Sequence, residues 1–113
     1  MVLDRQGGPN WFKNWCIAPV IVDPEQDEVY FTPLYDVMSH FSKFIRPGST
    51  VLASECSDAE LMAVAAETPE GGHVIVCFNP GDSPRTVRIE GLSEDIRIVL
   101  DAQALQTVVL APH

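Results

Sequence analysis

A chain of 113 residues suffices for one domain of ordinary size and falls short of two comfortable ones. Apolar residues make up 46% and charged residues 20%, a balance that excludes intrinsic disorder. Sixteen acidic against 7 basic side chains give a net charge of −9, which repels phosphate backbones and anionic membrane surfaces, so no nucleic-acid partner is expected.

The chain opens on Met1-Val2-Leu3, a strand fragment, and runs into a loop rich in Gly, Asn and Trp. The start MVLDRQGG lacks the basic residues and apolar stretch of a secretory signal. No apolar run approaches the roughly 18 residues of a membrane span, so a soluble chain is expected. The first 18 residues show no helix or strand partner of their own. Val20–Val22 and Val29–Phe31 flank an Asp-Pro-Glu-Gln-Asp turn and predict a separate hairpin.

The helix prediction over residues 33–46 rests on several signals together. Thr32 is placed to cap the first amide groups, and Pro33 occupies the first helical position, where its missing N–H costs nothing. Leu34, Val37, Met38, Phe41, Phe44 and Ile45 form one apolar stripe, and Pro47-Gly48 stops the helix.

From Ser49 onward the sequence reads as short strands separated by turns. Val74, Val76 and Phe78 alternate with Ile75 and Cys77, which predicts a strand covered on both faces. Val87 and Ile89, then Ile96, Ile98 and Leu100, show the half-exposed alternation, as do segments near 50–56, 61–67 and 105–110. Glu70-Gly71-Gly72 and Asn79-Pro80-Gly81-Asp82 supply the turns. The expected fold is mainly β: an antiparallel β-sandwich of about six strands from residue 49, preceded by a hairpin and one amphipathic helix.

Three cysteines, Cys16, Cys56 and Cys77, form no CxxC pair, and buried single thiols are the expected state. The sequence contains no GxSxG, no HExxH, no phosphate-cradling glycine loop and no zinc spacing, so neither metal nor cofactor is expected. His40 borders the helix stripe, where a hydrogen-bonded packing role is expected, while His73 and His113 have no partner in sequence. Most carboxylates, Asp23, Glu25, Asp27, Glu28, Asp58 and Glu60 among them, fall in turns or at exposed alternation positions and predict a solvated surface.

The run Gly7-Gly8-Pro9-Asn10-Trp11-Phe12-Lys13-Asn14-Trp15 is the one stretch with binding chemistry. Indole faces stack on the C–H faces of sugars, and asparagine offers both donor and acceptor to hydroxyls. Two tryptophans buried in a core is the competing explanation.

The segments VLDRQGGPNWFKNWCIAPVIVD and VYFTPLYDVMSHFSKFIRPGS resemble the C-terminal part of the glucosylceramidase (acid β-glucosidase) family, glycoside hydrolase family 30. GGPNW-x-x-N, AP-[VI]-IVD and HFSKFI-x-PGS stand in the family's order and spacing, closely up to Ser49 and more loosely through the strands to Leu110. The resemblance implies a retaining β-glycosidase acting on β-glucosides, with a (β/α)8 barrel and an attached β-sandwich. Residues 1–48 would be the end of the barrel, with its last strand, active-site loop and final helix, and residues 49–113 the sandwich. Both catalytic glutamates would lie upstream of Met1, which leaves this chain with no catalytic residue and inactive alone. By the same resemblance Asn14 and Trp15 line the substrate pocket, and Asn10 and Trp11 support the same loop. Ile17 stands where human-type enzymes carry aspartate, a departure that bears on the preference for glucosyl lipids. The implied partners are a β-glucoside or glucosyl lipid and the remainder of the barrel, without which the exposed helix stripe would drive self-association. The rival readings are a non-catalytic carbohydrate-binding sandwich and a structural module that docks a partner on its helix.

Overall fold

The computed structural model describes residues 1–9, 12, 13 and 15–112. The chain divides into two compact units, Met1–Ser39 and His40–His113.

The first unit is built on a three-stranded sheet of order β1-β2-β3, with β1 at Val2–Asp4, β2 at Val20–Asp23 and β3 at Glu28–Phe31. The hairpin predicted around the Asp-Pro-Glu-Gln-Asp turn is present as β2–β3. The opening strand, for which the sequence showed no partner, pairs in parallel with β2, Val2 opposite Val20 and Asp4 opposite Val22. Parallel partners separated by a long loop leave no local sequence signature, because no tight turn fixes their register.

Helix α1 spans Pro33–Ser42, shorter than the predicted 33–46. One further turn follows, in which the Ile45 N–H donates to the Phe41 carbonyl and the Ser49 N–H to that of Arg46. Thr32 does not cap the helix through its hydroxyl. Its Oγ1 donates backward, to the carbonyls of Pro19 at 3.0 Å and Ala18 at 3.3 Å, while its own carbonyl accepts the Tyr35 N–H at 2.9 Å. Leu34, Val37, Met38 and Phe41 of the stripe are exposed, as expected for a helix whose apolar face lacks a full cover.

In the second unit, β4 (Thr50–Leu52), β5 (Met62–Glu67), β6 (His73–Asn79) and β9 (Ala104–Leu110) form an antiparallel sheet of order β4-β5-β6-β9. Strands β7 (Arg85–Ile89) and β8 (Ile96–Leu100) form a second, two-stranded sheet. This is the predicted antiparallel sandwich. Period-2 alternation places Ile75 and Cys77 on the face shared with Leu100, where Ala63, Ala65, Val87, Ile98 and Val108 pack against them. Val74 and Val76 point the other way and are equally buried, so β6 is covered on both faces as its sequence predicted. On that second side His40 Nδ1 meets the Thr107 hydroxyl of β9 at 2.7 Å, the packing role expected of this histidine.

One strand prediction required correction. The segment near 50–56 ends as a strand at Leu52, because Asp58 organises the following residues into a turn: its carboxylate accepts the Glu60 N–H and its carbonyl the Leu61 N–H. Asp58 and Glu60 then both pair with Arg85 of β7 and so tie the two sheets at one end.

A buried asparagine ties them at the same end, where Leu100 pairs with Arg85. Asn79, fully inaccessible at the end of β6, directs Nδ2 at three carbonyls: Ser83 at 2.9 Å, Asp101 at 3.1 Å and Leu100 at 3.3 Å. Its Oδ1 accepts the Gly81 N–H at 3.0 Å, so every polar atom of the side chain is used. Along the sheets from these ties a gap of about 1030 Å³ opens, lined by Ala63, Ala65, Cys77, Val87, Ile89 and Leu92 among others, because a two-stranded sheet cannot cover four strands.

The cysteines depart from the expectation of buried thiols. None of the three is in a disulfide, but only Cys77 is buried, whereas Cys16 and Cys56 are exposed. Burial pushes the Cys77 thiol above its ordinary range, with a smaller contribution from nearby Cys56. A raised thiol pKa makes its share of stability complete below the unfolded-state value and lost as pH climbs past it, since the unfolded chain then sheds the proton first.

Replacing Asn79 with Ala should lower the unfolding free energy by about 2–4 kcal/mol, since three carbonyls and one amide lose their partner in a buried site. Urea unfolding followed by circular dichroism measures this. Alkylation with iodoacetamide at mildly alkaline pH should label Cys16 and Cys56 rapidly and Cys77 only at the rate of unfolding, as read by mass spectrometry.

Candidate sugar-facing loop

The loop that follows β1 is folded by a single carboxylate. Asp4, the last residue of β1, accepts the Gly8 N–H at 2.8 Å and the Gln6 N–H at 2.9 Å through Oδ1. Its backbone closes the same turn: the Asp4 N–H donates to the Gly8 carbonyl at 2.7 Å, and the Gly7 N–H to the Asp4 carbonyl at 3.1 Å. Aspartate followed by small residues is the pattern that side-chain-to-backbone bonding of this kind requires.

The two glycines are required for different reasons. Gly7 adopts φ +86°, and a Cβ placed there would stand 2.5 Å from the Cys16 carbonyl oxygen and 2.8 Å from its nitrogen. The returning chain at Cys16 therefore lies directly on Gly7, in a conformation that a side chain resists. Gly8 instead makes room for an aromatic ring, since a Cβ there would lie 3.1 Å from Cζ3 of Trp15.

Trp15 is the predicted site residue that the structure describes, and it is 57% exposed. The indole lies near Gly8 while more than half of the side chain is exposed, so complete burial in a core is excluded for it. Phe12 and Ile17 of the same loop are more exposed still, at 82% and 77%. The other predicted site residues, Asn10, Trp11 and Asn14, lie outside the described residues. The loop ends at buried Ala18, whose carbonyl is held by the Thr32 hydroxyl. An indole exposed over more than half of its surface can stack on a flat, partly apolar ligand such as a pyranose.

A second cluster in this unit was missed by sequence reasoning. Asp23, expected on the surface with the other carboxylates, is only 2% exposed. Its Oδ1 accepts the N–H groups of Glu25 and Gln26, and its Oδ2 pairs with Arg5 at 3.1 Å. The available signal was Asp-Pro opening a turn, a setting in which aspartate bonds the backbone two and three residues on. On the neighbouring strand the Tyr30 hydroxyl donates to Glu28, and that bond, with help from the acidic surroundings, raises the phenol above its usual range. Among the described residues no group of three or more His, Cys, Asp or Glu is arranged to hold a metal ion. No helix of the described residues is long and apolar enough to cross a membrane.

Comparison with known proteins finds two domain types in succession. Residues 1–45 match the TIM-barrel domain of glycosyl hydrolase family 30, and residues 48–108 match the beta sandwich domain of the same family. Lysosomal acid glucosylceramidase of Mus musculus is 39% identical over 92 residues, 77% of this chain and 18% of that protein. Putative glucosylceramidase 3 of Caenorhabditis elegans is 30% identical over 112 residues, 96% of this chain and 22% of that protein. The chain thus spans about a fifth of the length of these relatives. Among solved structures, SrfJ from Salmonella typhimurium superposes with a TM-score of 0.90 at 28% identity, over 99% of this chain and 25% of that one. The endo-beta1,6-glucanase BT3312 shares the fold, with a TM-score of 0.86 at 18% identity, over 99% of this chain and 26% of that one.

Substituting Gly7 by Ala should accelerate amide exchange at Gly8 and Asp4 by about tenfold or more, matching a local strain of roughly 1–2 kcal/mol. Hydrogen exchange read by NMR tests this, with the amides of β6 as the unaffected reference.

Proposed function

The chain belongs to glycosyl hydrolase family 30, and from that premise we propose that it is the C-terminal part of a glucosylceramidase-like retaining enzyme acting on β-glucosides, glucosylceramide among them. The observation that carries this reading is Trp15, an exposed indole beside Gly8 in a loop pinned by Asp4. In the whole enzyme that loop follows the last barrel strand and stands at the barrel face where active sites of this architecture are built. Residues 1–48 complete the barrel and residues 49–113 form the sandwich that supports it.

The bond-breaking groups come from elsewhere in the enzyme. A carboxylate attacks the anomeric carbon while a carboxylic acid protonates the departing glycosidic oxygen, which leaves a covalent glycosyl-enzyme. Water, deprotonated by the second group, then releases the sugar with its β configuration retained. This chain holds the sugar: Trp15 stacks against the pyranose, Asn14 hydrogen-bonds its hydroxyls, and Asn10 and Trp11 support the loop. Ile17 offers no hydrogen bond to the aglycone side and favours an apolar neighbour there. The exposed stripe of Leu34, Val37, Met38 and Phe41 is the face on which the remainder of the barrel packs.

The purified 113-residue chain is expected to leave an aryl β-glucoside intact while binding methyl β-D-glucopyranoside weakly, with amide shifts in residues 6–18. Trp15→Ala and Asn14→Ala should each weaken that loop response by about fivefold or more. Hydrolysis by the chain alone at a rate unchanged by either substitution would refute the assignment.

A further inference from the structure

The β2–β3 hairpin carries a second concave surface whose chemistry the loop site does not use. The register sets Ile21 opposite Tyr30 and Asp23 opposite Glu28, so these four side chains share one face of the sheet. Arg5, one residue past β1, joins them, and with Gln26 they line a cavity of about 440 Å³. That volume falls within the roughly 300–1,000 Å³ typical of small-ligand sites. Asp4 and Val22 occupy the opposite face, and the Asp4 carboxylate is turned into the loop that carries Trp15. The two surfaces are therefore back to back across one sheet.

The groups on this face divide into builders and binders. Asp23 is a builder: it is buried, and both its oxygens are occupied by the turn amides and by Arg5. Its effect is to fix the Arg5 guanidinium, whose side chain stays 61% exposed with further N–H donors to offer. Tyr30 donates its hydroxyl to one oxygen of Glu28, which leaves the other oxygen as an acceptor and the ring as an exposed wall. Gln26 adds an amide with both donor and acceptor.

Charge and satisfaction narrow the ligand class. With one cation against two carboxylates, the face carries an excess negative charge and disfavours anions. A bare metal ion would have to compete with Arg5 and Tyr30 for the carboxylate oxygens they already hold. What remains is a neutral ligand with a flat apolar face and paired hydroxyls at its edge. Forked side chains such as Arg, Glu and Gln match vicinal hydroxyls two at a time, and an aromatic ring covers the C–H face.

We propose that the hairpin face formed by Arg5, Gln26, Glu28 and Tyr30 over Asp23 is a second sugar-binding surface, which takes a pyranose unit independently of the Trp15 loop.

Titration of the isotopically labelled 113-residue chain with methyl β-D-glucopyranoside, followed by NMR, tests this. Saturable shifts are expected in the amides of Asp23–Phe31, with a millimolar dissociation constant. Tyr30→Ala and Glu28→Gln should each weaken the hairpin response by about fivefold or more, whereas Tyr30→Phe, which keeps the ring, should stay within about threefold. Trp15→Ala should leave the hairpin response unchanged, which separates this surface from the loop site. Shifts absent from the hairpin, or a hairpin response indifferent to both Tyr30→Ala and Glu28→Gln, would overturn the proposal whatever the loop does.

Discussion

The four hydrogen bonds of the Asn79 side chain hold the second unit in register. A two-stranded sheet is marginal by itself in water and needs a partner surface. β7 and β8 find one on the four-stranded sheet, and at the end of β6 they are fixed by an amide that reaches the start of one strand and the end of the other. Because the site is fully buried, each of those bonds forms in a medium where an unmade one is costly. Beside it, at the same end, a second tie is ionic, Arg85 to Asp58 and Glu60, and partly exposed, so it contributes direction more than energy. Away from this anchored end, the apolar face of β5 is left incompletely covered.

The first unit uses aspartate twice for a related purpose. Asp4 and Asp23 end adjacent parallel strands, and each turns its carboxylate onto the backbone of the chain that follows. Alternation sends them to opposite faces of the sheet. Asp4 shapes the loop that presents Trp15, while Asp23 shapes the turn that presents Gln26 and orients Arg5. Two residues of one type thus organise the two surfaces proposed to bind sugar, and neither needs to touch a ligand to do so.

Much of the architecture was legible along the chain. Alternating Val, Ile and Leu marked the strands of the sandwich, Glu-Gly-Gly and Asn-Pro-Gly-Asp marked its turns, and the apolar stripe after Thr32-Pro33 marked the helix. The family resemblance of GGPNW-x-x-N and HFSKFI-x-PGS was legible too, and domain matches over residues 1–45 and 48–108 bear it out. What could not be read were relationships between distant residues. The parallel pairing of β1 with β2 spans a loop of more than a dozen residues, and the Arg5–Asp23 pair spans 18 positions. Thr32 was legible as a helix-start residue, but not that its hydroxyl would donate to the carbonyls of Ala18 and Pro19, 14 and 13 positions back.

The sequence alone therefore determined local conformation and family, because propensity, periodicity and turn chemistry act over a few neighbouring residues and leave their mark there. Tertiary structure decided burial and the faces that side chains share. Asp23 and Cys56 show why: composition assigned the carboxylate to solvent and the thiol to the core, and packing reversed both. Whether a polar group is buried depends on partners that the fold delivers from far along the chain, and whether an apolar one is exposed depends on whether enough sheet exists to cover it.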